Sequence, residues 1–242
     1  MKASESDQRS ILDIQKFDHQ MSTLKNKAAN LPELAEIAST TIKSNNVRDL
    51  RIAAETELSD VKRELARAEG DVEQIVTRIE RDEKRLASGT GTPKELEQTQ
   101  HELGTLGARR SELEEVELEI MMRVDGIKDR IATLSQEENE LGMVLVDLNI
   151  RKENALAAIH TELEGIEADR KSTTQSVSAD FLALYEKIRE ANNGIGAAAL
   201  AGNQCKGCNL TLNTIELQRI AGLAEDEVVR CEECRCILVR ER

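Results

Sequence analysis

Apolar residues recur in alternating steps of three and four along two long stretches of the chain. The first stretch covers residues 54–86 and is interrupted only by Asp82. The second covers residues 96–159 and is interrupted at five positions. Such spacing places the apolar side chains on one face of a helix, and over many heptads it predicts a coiled coil. The five interruptions are Thr99, Arg110, Glu117, Glu138 and Lys152.

A short segment with two glycines, residues 88–93, separates the two stretches. Glycine permits the backbone conformations that a tight turn requires. Thr92 is suited to cap the second helix, Pro93 fits its first position, and Glu95 completes a capping box. Because short connections favour antiparallel neighbours, the pattern predicts an antiparallel hairpin with its turn near residues 88–93.

The two ends of this hairpin are less regular. Residues 11–24 carry a separate amphipathic pattern. Pro32 and the polar residues 40–46 predict a kink in the first arm near residues 31–46. The second helix is expected to end near Ala191. We interpret the glycines that follow as a helix C-cap and linker, because no strand precedes them as a phosphate-binding loop would require.

All five cysteines lie in the last 38 residues. Four of them form two Cys-x-x-Cys pairs separated by 22 residues. Each pair can direct two thiolates onto one ion, which is typical of a structural, tetrahedral zinc site. The predicted ligands of one Zn²⁺ ion are Cys205, Cys208, Cys231 and Cys234.

Other uses of these cysteines fit the sequence less well. Disulfides are disfavoured because the amino terminus carries no signal peptide, and a thioredoxin-type redox pair lacks its βαβ context. A catalytic zinc site would keep an open position and usually include His or a carboxylate. The fifth cysteine, Cys236, is an alternative to Cys234 as a ligand. We interpret it as a spare thiol beside the site, sensitive to oxidation, because the Cys-x-x-Cys loop has the better geometry.

The spacer between the cysteine pairs predicts elements of its own. Asn213 and Glu216 form a capping box that opens a helix through about Ala221. Short apolar runs at residues 228–229 and 237–239 predict two strands. So short a region with few apolar residues needs help to fold, and zinc supplies it. We therefore expect a Cys-to-Ser change at a zinc ligand to unfold this region while the hairpin keeps its helicity.

The predicted fold class is mainly α: a long antiparallel coiled-coil helical hairpin followed by a small C-terminal zinc ribbon. The predicted domains are residues 1–191 for the hairpin and 192–242 for the ribbon. Composition agrees, because 33% of the 242 residues are charged and only 1% are aromatic, as in long helices packed along seams.

Charge and hydropathy restrict the partners and the compartment. The net charge of −13 argues against broad affinity for nucleic acid or anionic membrane. The sequence contains no stretch of 18 apolar residues, so no transmembrane helix is expected. The polar amino terminus lacks a signal peptide, which predicts a cytoplasmic protein.

The chain resembles a bacterial family of four-cysteine zinc-ribbon proteins with a long coiled-coil hairpin. The resemblance is carried by residues 88–89 and 93–96 at the turn, the linker 194–198, and the paired cysteine knuckles ending in residues 237–239. It implies zinc ligation by the four paired cysteines. It also implies a non-enzymatic role as a nucleic-acid binder or as an adaptor in transcription or secretion. Many relatives are more basic than residues 201–204 are, and they have Gly-Arg where this chain has Arg235-Cys236.

Two functions follow from these features. A protein-interaction adaptor, monomeric or homodimeric, would dock partners on the hairpin and on the ribbon, although charged helical faces are usually only solvated. The alternative is RNA or DNA binding through the ribbon. Residues 192–242 carry six basic and seven acidic side chains and no aromatic residue, which favours the adaptor. No pattern of catalytic residues predicts an enzyme. The candidate contacts for nucleic acid or a partner are Lys206, Arg219, Arg230, Arg235 and Arg240.

Overall fold

The computed structural model describes residues 1–240. It confirms the predicted fold class: a long helical hairpin is followed by a small region that contains strands and the clustered cysteines. The elements are α1 (Glu5–Ala29), α2 (Pro32–Ala87), α3 (Pro93–Thr174), α4 (Ala179–Ala191), β1 (Ala197–Ala201), β2 (Gln204–Cys205), α5 (Thr214–Ala221), β3 (Val229–Arg230) and β4 (Ile237–Arg240).

The chain forms two compact units. Residues 35–149 make up one of them, and residues 1–34 together with 150–242 make up the other. The division at residues 191 and 192 that the sequence suggested stays a prediction. None of the helices in residues 1–240 is both long and apolar enough to cross a membrane.

The connection between α2 and α3 is closed by a reciprocal cap. The backbone N–H of Thr92 donates to Oε2 of Glu95 at 2.7 Å, and the backbone N–H of Glu95 donates to Oγ1 of Thr92 at 3.4 Å. Gly89 and Gly91 have φ values of 61° and 145°, which other residues adopt only with strain. This segment therefore ends one helix and starts the next through local interactions alone.

The first arm breaks at one place and not along the whole of residues 31–46. Helix α1 ends at Ala29, and its C-cap residue Asn30 donates its backbone N–H to the carbonyls of Asn26 and Lys27. Pro32 opens α2. The polar residues 40–46 continue α2 without interruption. Polar side chains on an exposed helical face cost the helix little, so they do not by themselves produce a kink.

The second arm contains a break that the sequence analysis missed. The expected single helix to Ala191 is divided into α3 and α4 by residues 175–178. The hydroxyls of Thr174 and Ser176 donate to backbone carbonyls three residues earlier, and such bonds compete with the helical pattern. Val177 is buried at this break, and it shares a core with the apolar face of α4 and with Ile11 and Ile14 of α1.

The seam of the unit formed by residues 35–149 follows the predicted heptads. Its buried core consists of apolar side chains from α2 and α3, and ion pairs such as Arg51–Glu138 at 2.7 Å and Arg123–Glu64 at 3.1 Å join the two helices. The heptad pattern therefore identified the packed face correctly. The buried core residues are Ala54, Val61, Ala68, Ile120, Val124 and Ile127.

The C-terminal region is built on a four-stranded sheet in the order β2-β1-β4-β3. Strand β1 runs parallel to β4, with Ala197 opposite Ile237, and antiparallel to β2. The sequence analysis missed β1, because it assigned these residues to a linker. Alanine-rich sequence has little preference for strands, so β1 exists because β4 supplies its hydrogen-bonding partner.

The central strands contribute to two different cores. Ala197, Ile237 and Val239 pack with apolar residues of α1 and α4, among them Phe181 and Tyr185. The alternating residues Ala198, Leu200 and Leu238 pack with the cysteines and Ile220. The period-two alternation of strand side chains thus couples the helices at the base of the hairpin to the cysteine cluster.

Gly196, just before β1, marks a close approach that can be tested. A Cβ atom there would lie 2.5 Å from Cε2 of Tyr185 and 2.9 Å from its carbonyl oxygen. Because Tyr185 is fully buried, we expect Gly196→Ala to lower the free energy of unfolding by about 1–3 kcal/mol, measured by urea denaturation. Gly165→Ala is the control. It lies inside α3 with nothing within 4 Å of the added Cβ, and it should be neutral or stabilise by up to about 1 kcal/mol. A Gly196→Ala protein as stable as the parent would disprove the close approach.

Candidate metal centre

The four paired cysteines converge on one point. Cys205 ends β2, Cys231 follows β3, and each is followed three residues later by its partner. The sulfur atoms of all four lie within 4.8 Å of one another. The Sγ atoms of Cys205 and Cys234 are 3.9 Å apart, and those of Cys208 and Cys231 are 4.0 Å apart. The group is able to hold one metal ion.

The two knuckles share the same backbone geometry. Asn209 and Arg235, each four residues after the first cysteine of its pair, donate their backbone N–H to the carbonyl of that cysteine. Both have positive φ, 61° and 63° respectively. Asn tolerates this conformation well, whereas Arg adopts it at a cost. This chain therefore accepts some backbone strain at Arg235.

The four paired cysteines differ in burial, and burial raises the pKa of one of them, Cys234. Cys205 and Cys231 are buried and Cys208 and Cys234 are half-buried. Burial is the main cause that raises the pKa of Cys234 to about 12, and the nearby Cys205 adds to it. A divalent cation at the centre of the four sulfurs would reverse this preference, because its charge stabilises thiolates.

Cys236 lies beside the four-cysteine group. Its side chain has no exposed surface, and its Sγ is 3.3 Å from that of Cys234 and 3.7 Å from that of Cys205. Burial also raises the pKa of Cys236 above its usual range. The position agrees with a spare thiol and leaves the choice between Cys234 and Cys236 as a prediction.

Two of the five candidate contact residues are occupied by internal bonds. Arg219 makes a bidentate pair with the Glu216 carboxylate, at 2.7 and 2.5 Å. Arg240 donates to five backbone carbonyls of residues 220–227, at 2.7 to 3.4 Å. These two guanidinium groups therefore hold α5 and the segment after it in place.

The other three candidates are exposed. Lys206 donates to the side-chain oxygen of Gln204 at 2.7 Å. Arg230 donates through Nε to the carbonyl of Arg235 at 3.0 Å. Arg230 and Arg235 line the same cleft, whereas Lys206 lines a different one.

A buried ionic network at the base of the hairpin escaped the sequence analysis. Asp18 accepts hydrogen bonds from Tyr185 at 2.6 Å and from Arg170 at 2.7 and 3.1 Å. Glu186 also accepts from Arg170 at 2.5 Å and pairs with Arg189. The bond to Asp18 raises the pKa of Arg170, and burial raises the pKa of Tyr185. No sequence signal marks this network, because its members lie on three separate helices.

The fold and the cysteine cluster together define a class of proteins: helical hairpins with a four-cysteine, metal-compatible centre at the carboxyl-terminal end. The family model of the CT398-like coiled coil hairpin domain matches residues 14–193. The chain belongs to this family.

Relatives match over nearly their whole length. An uncharacterized protein of Mycobacterium tuberculosis, Rv2229c, is 33% identical over 99% of this chain and 98% of the relative. An uncharacterized protein of Mycobacterium leprae, ML1638, is 25% identical over 94% and 97%.

Solved structures share the fold. A structure from Mycobacterium smegmatis superposes with a TM-score of 0.87, 29% identity and full coverage of both chains. CT398 from Chlamydia trachomatis superposes with a TM-score of 0.68 over 97% of this chain and 98% of that one. Its 19% identity supports the fold alone.

Proposed function

We propose that this chain is a non-enzymatic cytoplasmic adaptor that holds one structural zinc ion and binds protein partners through its hairpin and its C-terminal region. The observation that carries the adaptor role is a set of large apolar side chains exposed along α2 and α3. They include Ile42, Met122, Met143 and Val146, each more than 60% exposed. Contiguous exposed apolar patches mark sites of protein–protein interaction, and we infer that these side chains form such patches on α2 and α3.

The choice of zinc rests on the donor set and its dimensions. A tetrahedral zinc ion with Zn–S bonds of about 2.3 Å separates its sulfur ligands by roughly 3.8 Å. The Sγ–Sγ distances of 3.9 Å between Cys205 and Cys234 and of 4.0 Å between Cys208 and Cys231 fit that value. Four thiolates fill the coordination shell, so the ion would stabilise the fold and leave no position for a substrate.

Protein partners are favoured over nucleic acid because some basic residues of the C-terminal region are engaged in internal bonds. Arg219 and Arg240 are bonded inside the C-terminal region. The other basic side chains of residues 192–240 are Lys206, Arg230 and Arg235. They are too few to bind a nucleic-acid backbone tightly in a chain of net charge −13, because affinity for nucleic acid scales with the number of phosphate contacts.

The test is affinity capture of the full chain from its native cells, with Met143→Glu as the variant. Met143 is 67% exposed on α3, so the substitution changes the surface and leaves the core intact. We expect a defined set of proteins to be captured in fixed ratio, to resist nuclease, and to be depleted by Met143→Glu. Ala132→Glu, at another exposed position of α3, is the matched control and should retain them.

Other outcomes of the capture decide between the alternatives. Recovery of RNA or DNA, with loss of all proteins after nuclease treatment, would assign nucleic-acid binding in place of the adaptor role. Recovery of the chain alone, together with a dimeric mass by light scattering that Met143→Glu halves, would make the exposed surface a homodimer interface and contradict the proposal.

A further inference from the structure

A cleft of about 440 Å³ lies between α4 and the second cysteine knuckle, within the unit that contains the C-terminal region. Its apolar lining comes from one face of α4, and its charged lining comes from both α4 and the knuckle. Cys234 also borders it. The apolar residues are Leu184, Ile188 and Ala191, and the charged residues are Lys187, Arg230 and Arg235.

The charged side chains that line this cleft are all positive. Lys187, Arg230 and Arg235 are exposed, and no carboxylate of residues 1–240 forms an ion pair with any of them. The bond from Arg230 to the carbonyl of Arg235 holds the two residues at one place. The other two arginines of residues 192–240 are engaged within the protein: Arg219 pairs with Glu216, and Arg240 donates to backbone carbonyls. The arginines of the cleft differ from them in that they have no carboxylate partner.

A zinc ion held by the four cysteines would place negative charge beside the cleft and so limit how much negative charge a ligand can bring. A zinc ion with four thiolates carries about two negative charges, and Cys234 brings that charge to the edge of the cleft. The exposed Glu232 and Glu233 of the same knuckle add further negative charge nearby. The cleft therefore disfavours a polyanion and fits a ligand with one or two carboxylates, which individual cations of the lining can pair.

The apolar lining requires a matching apolar group on the ligand. Pockets of this volume usually combine an apolar surface with a few placed polar groups that fix orientation. The described residues that line the cleft include no aromatic ring, so a nucleobase would have no stacking partner. A ligand segment with an apolar side chain flanked by acidic ones would match both the apolar lining and the positive charges of the cleft.

We propose that this cleft binds a short segment of a partner protein in which an apolar side chain is flanked by one or two carboxylates. The proposal rests on the adaptor function above and names the chemistry of its partner at one site. Lys187 is a residue that neither the zinc ligands nor the heptads point to, and it contributes to recognition together with Arg230 and Arg235.

The experiment selects ligands from a displayed library of random decapeptides on the zinc-loaded full chain. We expect the enriched sequences to combine acidic and large apolar residues. A selected peptide should bind Lys187→Glu about tenfold more weakly by fluorescence anisotropy, because reversal of a contact charge removes attraction and adds repulsion. Lys206→Glu is the matched control, since it makes the same charge change at the other knuckle and lines a different cleft. It should bind the peptide like the parent, and both variants should retain one zinc per chain.

Three outcomes of the peptide experiment would overturn the proposal. They are no enrichment, enrichment of sequences without acidic residues, and equal weakening by both variants. Binding of a uridine 20-mer that Lys187→Glu abolishes would assign the cleft to phosphate and would also overturn it. If native partners are captured and Lys187→Glu leaves them unchanged, the adaptor function stands and the cleft assignment fails. If no partner is captured at all, the adaptor function itself fails.

Discussion

Cys208→Ser is expected to release the zinc ion and to abolish the ordered packing of residues 197–240, while residues 35–149 keep their helices. Structural zinc contributes about 10–16 kcal/mol of apparent binding free energy, which matches or exceeds the whole stability of a typical domain, about 5–15 kcal/mol. Hydrogen exchange read by mass spectrometry should show amide protection in β1 and β4 falling by at least about 100-fold, as local unfolding removes it.

The loss should also reach two helices of the hairpin base. Ile237 and Val239 of β4 share a core with Ile11 of α1 and with Phe181 of α4. Protection in α1 and α4 should therefore fall together with that of the sheet. This modifies the expectation from sequence, in which the hairpin and the cysteine region respond separately. Little change should occur in the seam around Val61, which belongs to the other compact unit.

Cys236→Ala is the matched control for the ligand variant. It removes a buried sulfur that lies beside the four-cysteine group, so it should keep one zinc per chain and protection close to that of the parent. Zinc content is measured by native mass spectrometry. If Cys236→Ala loses zinc and Cys234→Ala retains it, Cys236 would replace Cys234 as the fourth ligand. A metal-free Cys208→Ser protein with a fully protected sheet would contradict a structural role for the metal.

The sequence predicted those parts of the molecule that form through interactions between residues close together in the chain. The capping box at Thr92 and Glu95 needs only residues three apart, and each cysteine knuckle is a four-residue loop. The same holds for α5, which the sequence placed at Asn213 and which begins at Thr214 with the Asn213 side chain as its cap. The heptads also succeeded, because one repeated interaction specifies the whole seam.

The features that were missed depend on distant parts of the chain. Strand β1 forms where Ala197 meets Ile237, forty residues later, and its alanine-rich sequence carries no strand preference that would reveal it. Nothing in the sequence around Asp18 distinguishes it from an acidic residue on an exposed helical face. Its burial is decided by Arg170 and Tyr185, which are 152 and 167 residues away. The cleft beside the second knuckle needs the same long-range information, since its lining combines residues of α4 with residues 230–235.

Asp18→Ala is expected to lower the free energy of unfolding of the unit that contains it by about 3–5 kcal/mol. The Asp18 side chain is only 5% exposed and accepts hydrogen bonds from Arg170 and Tyr185. Removal of the Asp18 carboxylate leaves Arg170 and Arg189 to share the single carboxylate of Glu186, and the loss of one partner of a buried ion pair costs more than the intact pair contributes. The Tyr185 hydroxyl would also lose its charged acceptor in a buried site.

Urea denaturation of the zinc-loaded chain, followed by a probe in this unit, measures the effect. Arg9→Ala is the matched control, because Arg9 forms an ion pair on the same helix α1 with both side chains more than 60% exposed, and such pairs contribute at most about 1 kcal/mol. Similar small losses for both variants would mean that Asp18 is well solvated and that the network does not fix α4 against α1. A large loss confined to Asp18→Ala would support the network as the interaction that fixes α4, which lines the basic cleft, against α1.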